Sequence, residues 1–572
     1  MLVRFLLALL LLLVTNFAQA KPPAIFRLSE VRPGMVGYGL TVFQGTKPEK
    51  FAVRVIGILH NFLPKEDVIL IQSDDPRLLH SGIVQGMSGS PIYFDDRVAG
   101  ALAYGWSFAK DPIAGVTPIE NMLAELKRPL RGPAHTPMAE PSVESGRDRL
   151  AALSPNQPHL EPVAVPLSVA GFSSNVLAEF AEALKPYHLV PEQAGGGGQS
   201  GEKGPAGFEA GGPIAVQIIR GDMSAAATGT VTYIDGNKVL AFGHPMFNVG
   251  EVYLPIATAR IHTFMAALSS SFKLSSPIES KGSLLQDRQT GIIGEMGKSV
   301  EMIPITVSVG GPDHVLHAEI IRHRFLTPML AAMVIANAAQ TSASDVADAT
   351  VTVHSRLQVR GYAPIDLIDT VYSPDGVSPR TLAGSSGIKA IGDILFNPFT
   401  PATVDRIDVN VSVDYKADVA EIVNVSLTSD ELEPGTRPSL FVTLRPYAGS
   451  EFVKAIPFEV PRALAGLNVK ITVQGGNQLR PEMAPPENLS HLINNMRKIY
   501  PARALVVSVE TPDEGVTLHG SVIPDLPASI IDTLKPGAST RHADTYRRAS
   551  RQLVTMPSII QGKQEITVRV KD

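Results

Sequence analysis

Most of the chain has the hydrophobic pattern of short β-strands joined by turns. Apolar and polar residues alternate in segments such as 51–59 and 350–359, and alternation with a period of two predicts a strand with one buried face. Residues 230–242 contain two such runs on either side of Asp235-Gly236-Asn237, which is a turn signal, so this segment predicts a β-hairpin. Closely spaced strands with glycine-containing turns are typical of β-barrels.

Helical patterns are few. Residues 118–126 predict a helix with Pro118 in its first position, where the missing N–H of proline is not needed. Residues 326–338 are mostly apolar, but the run is short and contains Pro328, so it predicts a buried helix rather than a membrane span. Shorter helices are predicted at residues 175–184 and 488–499.

These patterns predict a mainly β protein with several regions. Residues 26–126 and 213–360 predict two β-rich units, and the residues between them, 127–212, are rich in Pro, Ser and Gly. That composition predicts a linker with a short strand, a short helix and a flexible glycine-rich loop. Alternating strands over residues 404–474 predict a β-sandwich, and residues 486–572 predict a small α/β segment and a tail.

Residues 1–20 have the pattern of a secretory signal peptide. Arg4 precedes an apolar core at residues 5–14, and Ala18-Gln19-Ala20 is a small-X-small cleavage site. The apolar core is too short for a lasting bilayer span. We therefore expect a secreted or periplasmic protein that begins near Lys21 and has no membrane span after signal cleavage.

Composition removes several classes of function. The 572 residues carry a net charge of −5, from 50 Lys and Arg and 55 Asp and Glu, and contain no cysteine. No basic patch favours nucleic acid, so no nucleic-acid partner is expected. The absence of cysteine excludes disulfides, a cysteine nucleophile and a thiolate metal site, and no His-Glu-X-X-His motif is present. We expect no metal and no cofactor.

The candidate chemistry starts at Gly86-Met87-Ser88-Gly89, which lies between two apolar runs. A serine nucleophile needs a tight turn that exposes its hydroxyl and N–H groups directed at the developing oxyanion. Gly86 and Gly89 allow such a turn, and the N–H groups of Gly86 and Ser88 would form the oxyanion hole. The alternative is an ordinary Gly/Ser-rich turn between strands. Ser90 is expected to be structural, with its hydroxyl serving the turn.

A serine hydroxyl also needs a base, and histidine has a suitable pKa. Of the 14 histidines, His244 follows the predicted hairpin and is preceded by Gly243. A side chain at such a strand end can project from the rim of a barrel. His244 is therefore the candidate base.

Residues 51–123 resemble the C-terminal half of the SpoIVB-type serine peptidases. The matching motifs are Val-Gln-Gly-Met-Ser-Gly-Ser-Pro-Ile at 84–92 and Asp-Pro-Arg-Leu-Leu at 75–79. The histidine half of the same family is similar to residues 228–233 and 241–245, where a Gly-Thr-X-Thr hairpin leads to Gly-His. The two halves stand in inverted order along this chain.

The resemblance implies a Ser-His-Asp peptidase built from two trypsin-like β-barrel halves. It implies that Ser88 is the nucleophile, His244 the base and Asp75 the third triad member, with Asp74 as the fallback for Asp75. Triads are recognised by geometry rather than by chain order, so we expect these side chains to meet in the cleft between the barrels.

The predicted function is a secreted or periplasmic serine endopeptidase that acts on a protein or peptide substrate. Residues 99–104 could pair with the substrate backbone, which makes Ala103 and Tyr104 candidate substrate-binding residues. The alternative is a non-catalytic envelope protein that uses peptidase-like barrels as a binding or assembly module. Nothing in the sequence sets the oligomeric state.

Overall fold

The structure is a computed structural model, and it describes residues 24–132, 160–195, 203–342, 348–479 and 483–572, except 65, 107–108, 188, 269, 519–520, 524–525, 528, 531–532 and 534–543. The predicted signal peptide and much of the predicted linker lie outside the described residues. The chain divides into two compact units. The first contains the described residues up to Ala170 with residues 181–218 and 224–300, and the second contains residues 171–180, 219–223 and 301–572.

The first unit begins with a closed six-stranded antiparallel barrel. Its strands are ordered β4-β1-β2-β3-β6-β5, and pairing of β4 with β5 closes the ring. Successive side chains along each strand point alternately into and out of the barrel, and the inward-pointing ones fill its interior. Val53 and Val55 pack there with Ile69 and Ile71. The elements are β1 (Val36–Thr41), β2 (Glu49–Leu63), β3 (Glu66–Ser73), α1 (Pro76–Ser81), β4 (Pro91–Phe94), β5 (Arg97–Trp106), β6 (Ile113–Pro118) and α2 (Ile119–Glu125).

Three short strands and a helix follow the described part of the first barrel. The strand β7 pairs antiparallel with the end of β5, and β8 pairs parallel with β9. The elements are β7 (Leu160–Pro162), β8 (Val165–Ala170), α3 (Ser174–Leu184) and β9 (Leu189–Gln193).

A second six-stranded ring completes the first unit. Its order is β10-β13-β14-β15-β12-β11, and pairing of β10 with β11 closes it. The expected hairpin is present, with Asp235 opposite Lys238 and a positive φ of 61° at Gly236. The mainly β fold, with a closed six-stranded barrel in the N-terminal region, is confirmed. The strands are β10 (Pro213–Gly221), β11 (Ser224–Asp235), β12 (Lys238–Ala241), β13 (Gly250–Met265), β14 (Phe272–Arg288) and β15 (Gly291–Met296).

The second unit starts with a sheet of order β19-β18-β20-β16-β17. The predicted apolar helix, α4, is present, and its residues Leu330, Val334 and Ile335 are buried. Residues 301–360, expected in the second barrel, belong to this unit instead. Among the described residues, no helix is both long and apolar enough to cross a membrane. The elements are β16 (Ile303–Val309), β17 (Val315–Ile320), α4 (Leu326–Ser342), β18 (Ala349–Val359), β19 (Ile365–Ser373), α5 (Pro379–Ala383), α6 (Ser386–Phe396) and β20 (Val404–Asp414).

Two further sheets form a sandwich that is larger than predicted. One has the order β24-β23-β21-β29 and the other β22-β30-β25-β26-β27, with β28 beside β26. Ile422 and Val442 from the first share a core with Ile471 and Val507 from the second, so the sandwich includes the C-terminal segment. The elements are β21 (Val419–Leu427), β22 (Glu431–Leu432), β23 (Ser439–Pro446), β24 (Phe452–Pro457), β25 (Asn468–Gly475), α7 (Leu489–Met496), β26 (Ala504–Leu518), β27 (Ser521–Ile523), β28 (Asp544–Thr555), β29 (Ile559–Gln561) and β30 (Lys563–Val570).

Candidate active site

The serine turn connects α1 to β4 at one end of the first barrel. Gly86 and Gly89 have φ angles of 88° and 94°, a region that glycine occupies without strain. The Gly89 N–H donates to the Leu102 carbonyl at 2.7 Å, and the Ser90 N–H donates to the Met87 carbonyl at 2.9 Å. Ser88 therefore lies within a tightly hydrogen-bonded turn.

The second barrel binds this turn directly through β11. The Thr230 N–H donates to the Ser88 carbonyl at 2.8 Å, and the Thr230 hydroxyl donates to the Gly86 carbonyl at 3.0 Å. The Thr232 hydroxyl donates to the Gly89 carbonyl at 2.7 Å. A Cβ at Gly89 would overlap the Thr230 carbonyl oxygen, so this close approach needs glycine.

The turn that carries His244 also contacts Thr230. The Phe242 N–H donates to the Thr230 carbonyl at 3.3 Å, so Thr230 bonds to both turns. The Thr117 hydroxyl donates to the Gly243 carbonyl at 2.6 Å, which fixes the His244 turn to the first barrel. The fold thus brings together the Ser88 and His244 turns, which are far apart in the sequence.

The His244 ring has a defined tautomer. Its Nδ1 lies 2.8 Å from the carbonyl oxygen of Pro245, and because a carbonyl can only accept, Nδ1 carries the proton. Nε2 is then the basic nitrogen of the ring, which is the atom that accepts the serine proton in the serine-peptidase template.

Asp287 organises the loop after His244. Its buried carboxylate accepts from the Met246 N–H at 2.8 Å and the Phe247 N–H at 2.6 Å. Burial raises the pKa of Asp287 to about 6, although these hydrogen bonds act in the opposite direction. This positioning role of Asp287 was not predicted from the sequence.

Asp75 has a different environment from the predicted one. It is the N-cap of α1 and accepts from the Arg77 N–H at 2.9 Å, while the Arg77 guanidinium donates to both carboxylate oxygens at 3.0 and 2.9 Å. Arg77 lowers the pKa of Asp75. Asp74 is exposed and pairs with Arg54. In the part of the chain that the structure describes, neither aspartate bonds to His244.

The serine hydroxyl is enclosed in this structure. Ser88 has 0 % of its surface exposed, and its Oγ has no hydrogen-bond partner among the described residues. The Ser90 hydroxyl is likewise buried without a described partner, so the expected role for that hydroxyl in the turn is not seen. The backbone of Ser90 performs it, because the Ser90 carbonyl accepts from the Leu102 N–H at 2.9 Å.

Comparison with known families adds to this geometry. Residues 13–123 match the family model of the SpoIVB peptidase S55. The first barrel is a SpoIVB-type peptidase segment. That family indicates a serine peptidase, a hydrolase that acts on the peptide bonds of proteins. No curated protein matches the chain.

The match covers the SpoIVB-type segment with Ser88 and Asp75, and it ends before β11 and His244. The assignment of the histidine half, and the inverted order of the halves, therefore remain predictions. What supports them is the contact of both turns with Thr230.

The predicted substrate-binding residues lie on β5 beside the SpoIVB-type serine turn. Ala103 and Tyr104 are buried, at 0 % and 2 % exposure. The Ala103 carbonyl accepts from the Val163 N–H at 2.9 Å, and Tyr104 is opposite Pro162 in the β5–β7 pairing. The backbone that was expected to bind substrate is paired with another segment of the same chain.

One further buried group lies against the serine turn. Lys273 is 1 % exposed, and its Nζ donates to the Thr41 hydroxyl at 2.7 Å. Its Cδ lies 3.3 Å from the position that a Cβ on Gly86 would occupy. Burial lowers the pKa of Lys273 to about 7. Within the described residues, no group of three or more His, Cys, Asp or Glu side chains is arranged to hold a metal ion.

Proposed function

We propose that the chain is a secreted or periplasmic serine endopeptidase in which Ser88 attacks the substrate carbonyl and His244 is the base. The observation that carries this proposal is that Thr230 bonds to both turns. The Thr230 N–H donates to the Ser88 carbonyl, and the Thr230 carbonyl accepts from the Phe242 N–H. These bonds support the proposal, because the turn with Ser88 and the turn with His244 both bond to the same residue.

In this mechanism, His244 Nε2 takes the Ser88 proton as Oγ bonds to the substrate carbonyl carbon. The carbonyl oxygen becomes an oxyanion, and the N–H groups of Gly86 and Ser88 stabilise it. His244 then gives the proton to the leaving amine as the peptide C–N bond breaks. Water, deprotonated by His244, hydrolyses the acyl-enzyme and restores Ser88.

We assign the orientation of His244 to the Pro245 carbonyl rather than to Asp75. The 2.8 Å contact at Nδ1 supports this assignment, since a hydrogen bond at one ring nitrogen sets the tautomer at the other. Asp75 then acts as the cap of α1, which leads into the serine turn, and its two bonds from the Arg77 guanidinium support that role.

The test is proteolysis of an unfolded protein substrate by the purified chain from Lys21 onward. Ser88→Ala should lower kcat/KM on the order of 10⁴-fold, as loss of a triad nucleophile does. Full activity of Ser88→Ala would refute the assignment, and inactivity of the wild type towards unfolded proteins and peptides would favour the binding-module alternative.

A further inference from the structure

The segment that pairs with β5 has the geometry of a bound peptide. Leu160–Pro162 runs antiparallel to β5, with Glu161 opposite Gly105. The next residue, Val163, donates its N–H to the Ala103 carbonyl at 2.9 Å. Extended peptides commonly bind in this way, by adding a strand to a sheet edge.

The side chain of Val163 fills an apolar pocket next to the serine turn. Val163 is 7 % exposed and belongs to the core of the first barrel, against which Ile83 also packs. A Cβ on Gly105 would lie 3.6 Å from Val163 Cγ2 and 3.9 Å from Ile83 Cγ2. The pocket is therefore small, and it suits a short branched aliphatic side chain.

The chain then passes the serine turn itself. Pro166 Cγ lies 3.2 Å from the position that a Cβ on Gly86 would occupy, and Gly86 is a proposed oxyanion donor. Ser88, two residues further, is fully buried. The segment from Val163 to Pro166 thus lies next to the turn that carries Ser88.

The other side of the segment borders open space. A cavity of about 700 Å³ is lined by Trp106, Glu161 and Val163, among others. Part of the segment therefore borders this cavity rather than packed protein.

We infer that residues 160–163 occupy the substrate strand of the active site, and that a peptide substrate must displace them and present a valine-like side chain to the pocket beside Gly105. This inference rests on the proposed function, because it treats the space beside Ser88 as the place of bond cleavage. Successive N–H groups of a strand point in opposite directions. Because the Val163 N–H points toward β5, the N–H of residue 162 points away from it and makes no bond to β5. The substrate can therefore have proline at the position before the valine-like residue, as this chain has Pro162.

The first test measures how fast a fluorophosphonate labels Ser88 in the chain from Lys21 onward. Val163→Asp should label at least about tenfold faster than wild type, because an unpaired carboxylate is not retained in an apolar pocket. Val36→Asp is the matched control, since Val36 is 69 % exposed in the same unit, and it should label at the wild-type rate. Equal rates for wild type and Val163→Asp would overturn the inference and leave the proposed function intact.

The second test uses Val163→Gly, which removes the side chain without adding a charge. The aldehyde of Leu-Glu-Pro-Val should protect Ser88 from labelling at a concentration at least tenfold lower than the aldehyde of Leu-Glu-Pro-Asp. Equal protection would overturn the pocket assignment. Hydrogen exchange at residues 160–163 reports release of the segment separately. If release is faster in Val163→Asp but Ser88 reacts in no variant, the proposed function fails, and the inference fails with it.

Discussion

Replacing the buried Lys273 with methionine is expected to stabilise the first unit at neutral pH. Burial lowers the pKa of Lys273 from 10.5 to about 7. The unfolded chain keeps this lysine protonated up to about pH 10.5, so folding between pH 7 and 10.5 releases a proton. Stability therefore decreases as the pH falls from 10.5 to 7 and stays reduced below 7.

The size of the effect follows from the two pKa values. At about 1.4 kcal/mol per pKa unit, the difference between the two pKa values lowers the free energy of unfolding by roughly 5 kcal/mol at neutral pH. Methionine fits the lysine stem and removes that cost, while the lost hydrogen bond to Thr41 offsets about 1 kcal/mol. Lys273→Met should then be more stable than wild type by up to roughly 4 kcal/mol at pH 7, and by little or nothing at pH 10.

Urea unfolding at pH 7 and pH 10 checks this prediction. Trp106 is the single tryptophan of the chain and lies at the end of β5, so its fluorescence reports the first barrel. Lys47→Met is the control, because Lys47 is exposed in the same unit, and it should keep the pH dependence of the wild type. If Lys273→Met also keeps that dependence, Lys273 is charged in the folded protein and the prediction is wrong.

Three predictions concern catalysis and are measured as kcat/KM on one peptide substrate. Asp75→Asn should lose less than about tenfold, because asparagine is an equally good N-cap; a loss of several orders of magnitude would return Asp75 to the triad. Ser90→Ala should lose little, because only the backbone of Ser90 bonds in the turn; a larger loss than that of Ser88→Ala would mean that the nucleophile is misassigned. Activity should rise with pH through the neutral region and then level off, because a protonated His244 cannot accept the serine proton; a flat profile from about pH 5 to 8 would contradict His244 as the base.

The barrels and the hairpin before His244 could be predicted because their signals are local. Alternation marks the strands, and Asp235-Gly236-Asn237 marks the turn. The role of Asp75 was also visible locally, since an aspartate followed by Pro76 is the signature of a helix start. The family resemblance instead implied that this carboxylate pairs with His244 as the third triad member.

Other features depend on contacts that no local pattern contains. Lys273 is buried against the serine turn and against Thr41 of the first barrel, both of which are distant in the sequence. The pairing of Tyr104 with Pro162 joins β5 to a residue inside the predicted linker, and the linker composition alone gives no register. The Pro245 carbonyl that orients His244 is a backbone group, so residue type does not reveal it.

Mapping the site of fluorophosphonate attachment by mass spectrometry, on the purified chain from Lys21 onward, tests the roles of Ser88 and His244 most directly. An adduct on Ser88 is expected after long exposure, and it should form at a strongly reduced rate in His244→Ala. An adduct that forms at the same rate in His244→Ala, or no adduct on Ser88 in either the wild type or Val163→Asp, would contradict a nucleophile and base formed by these two turns.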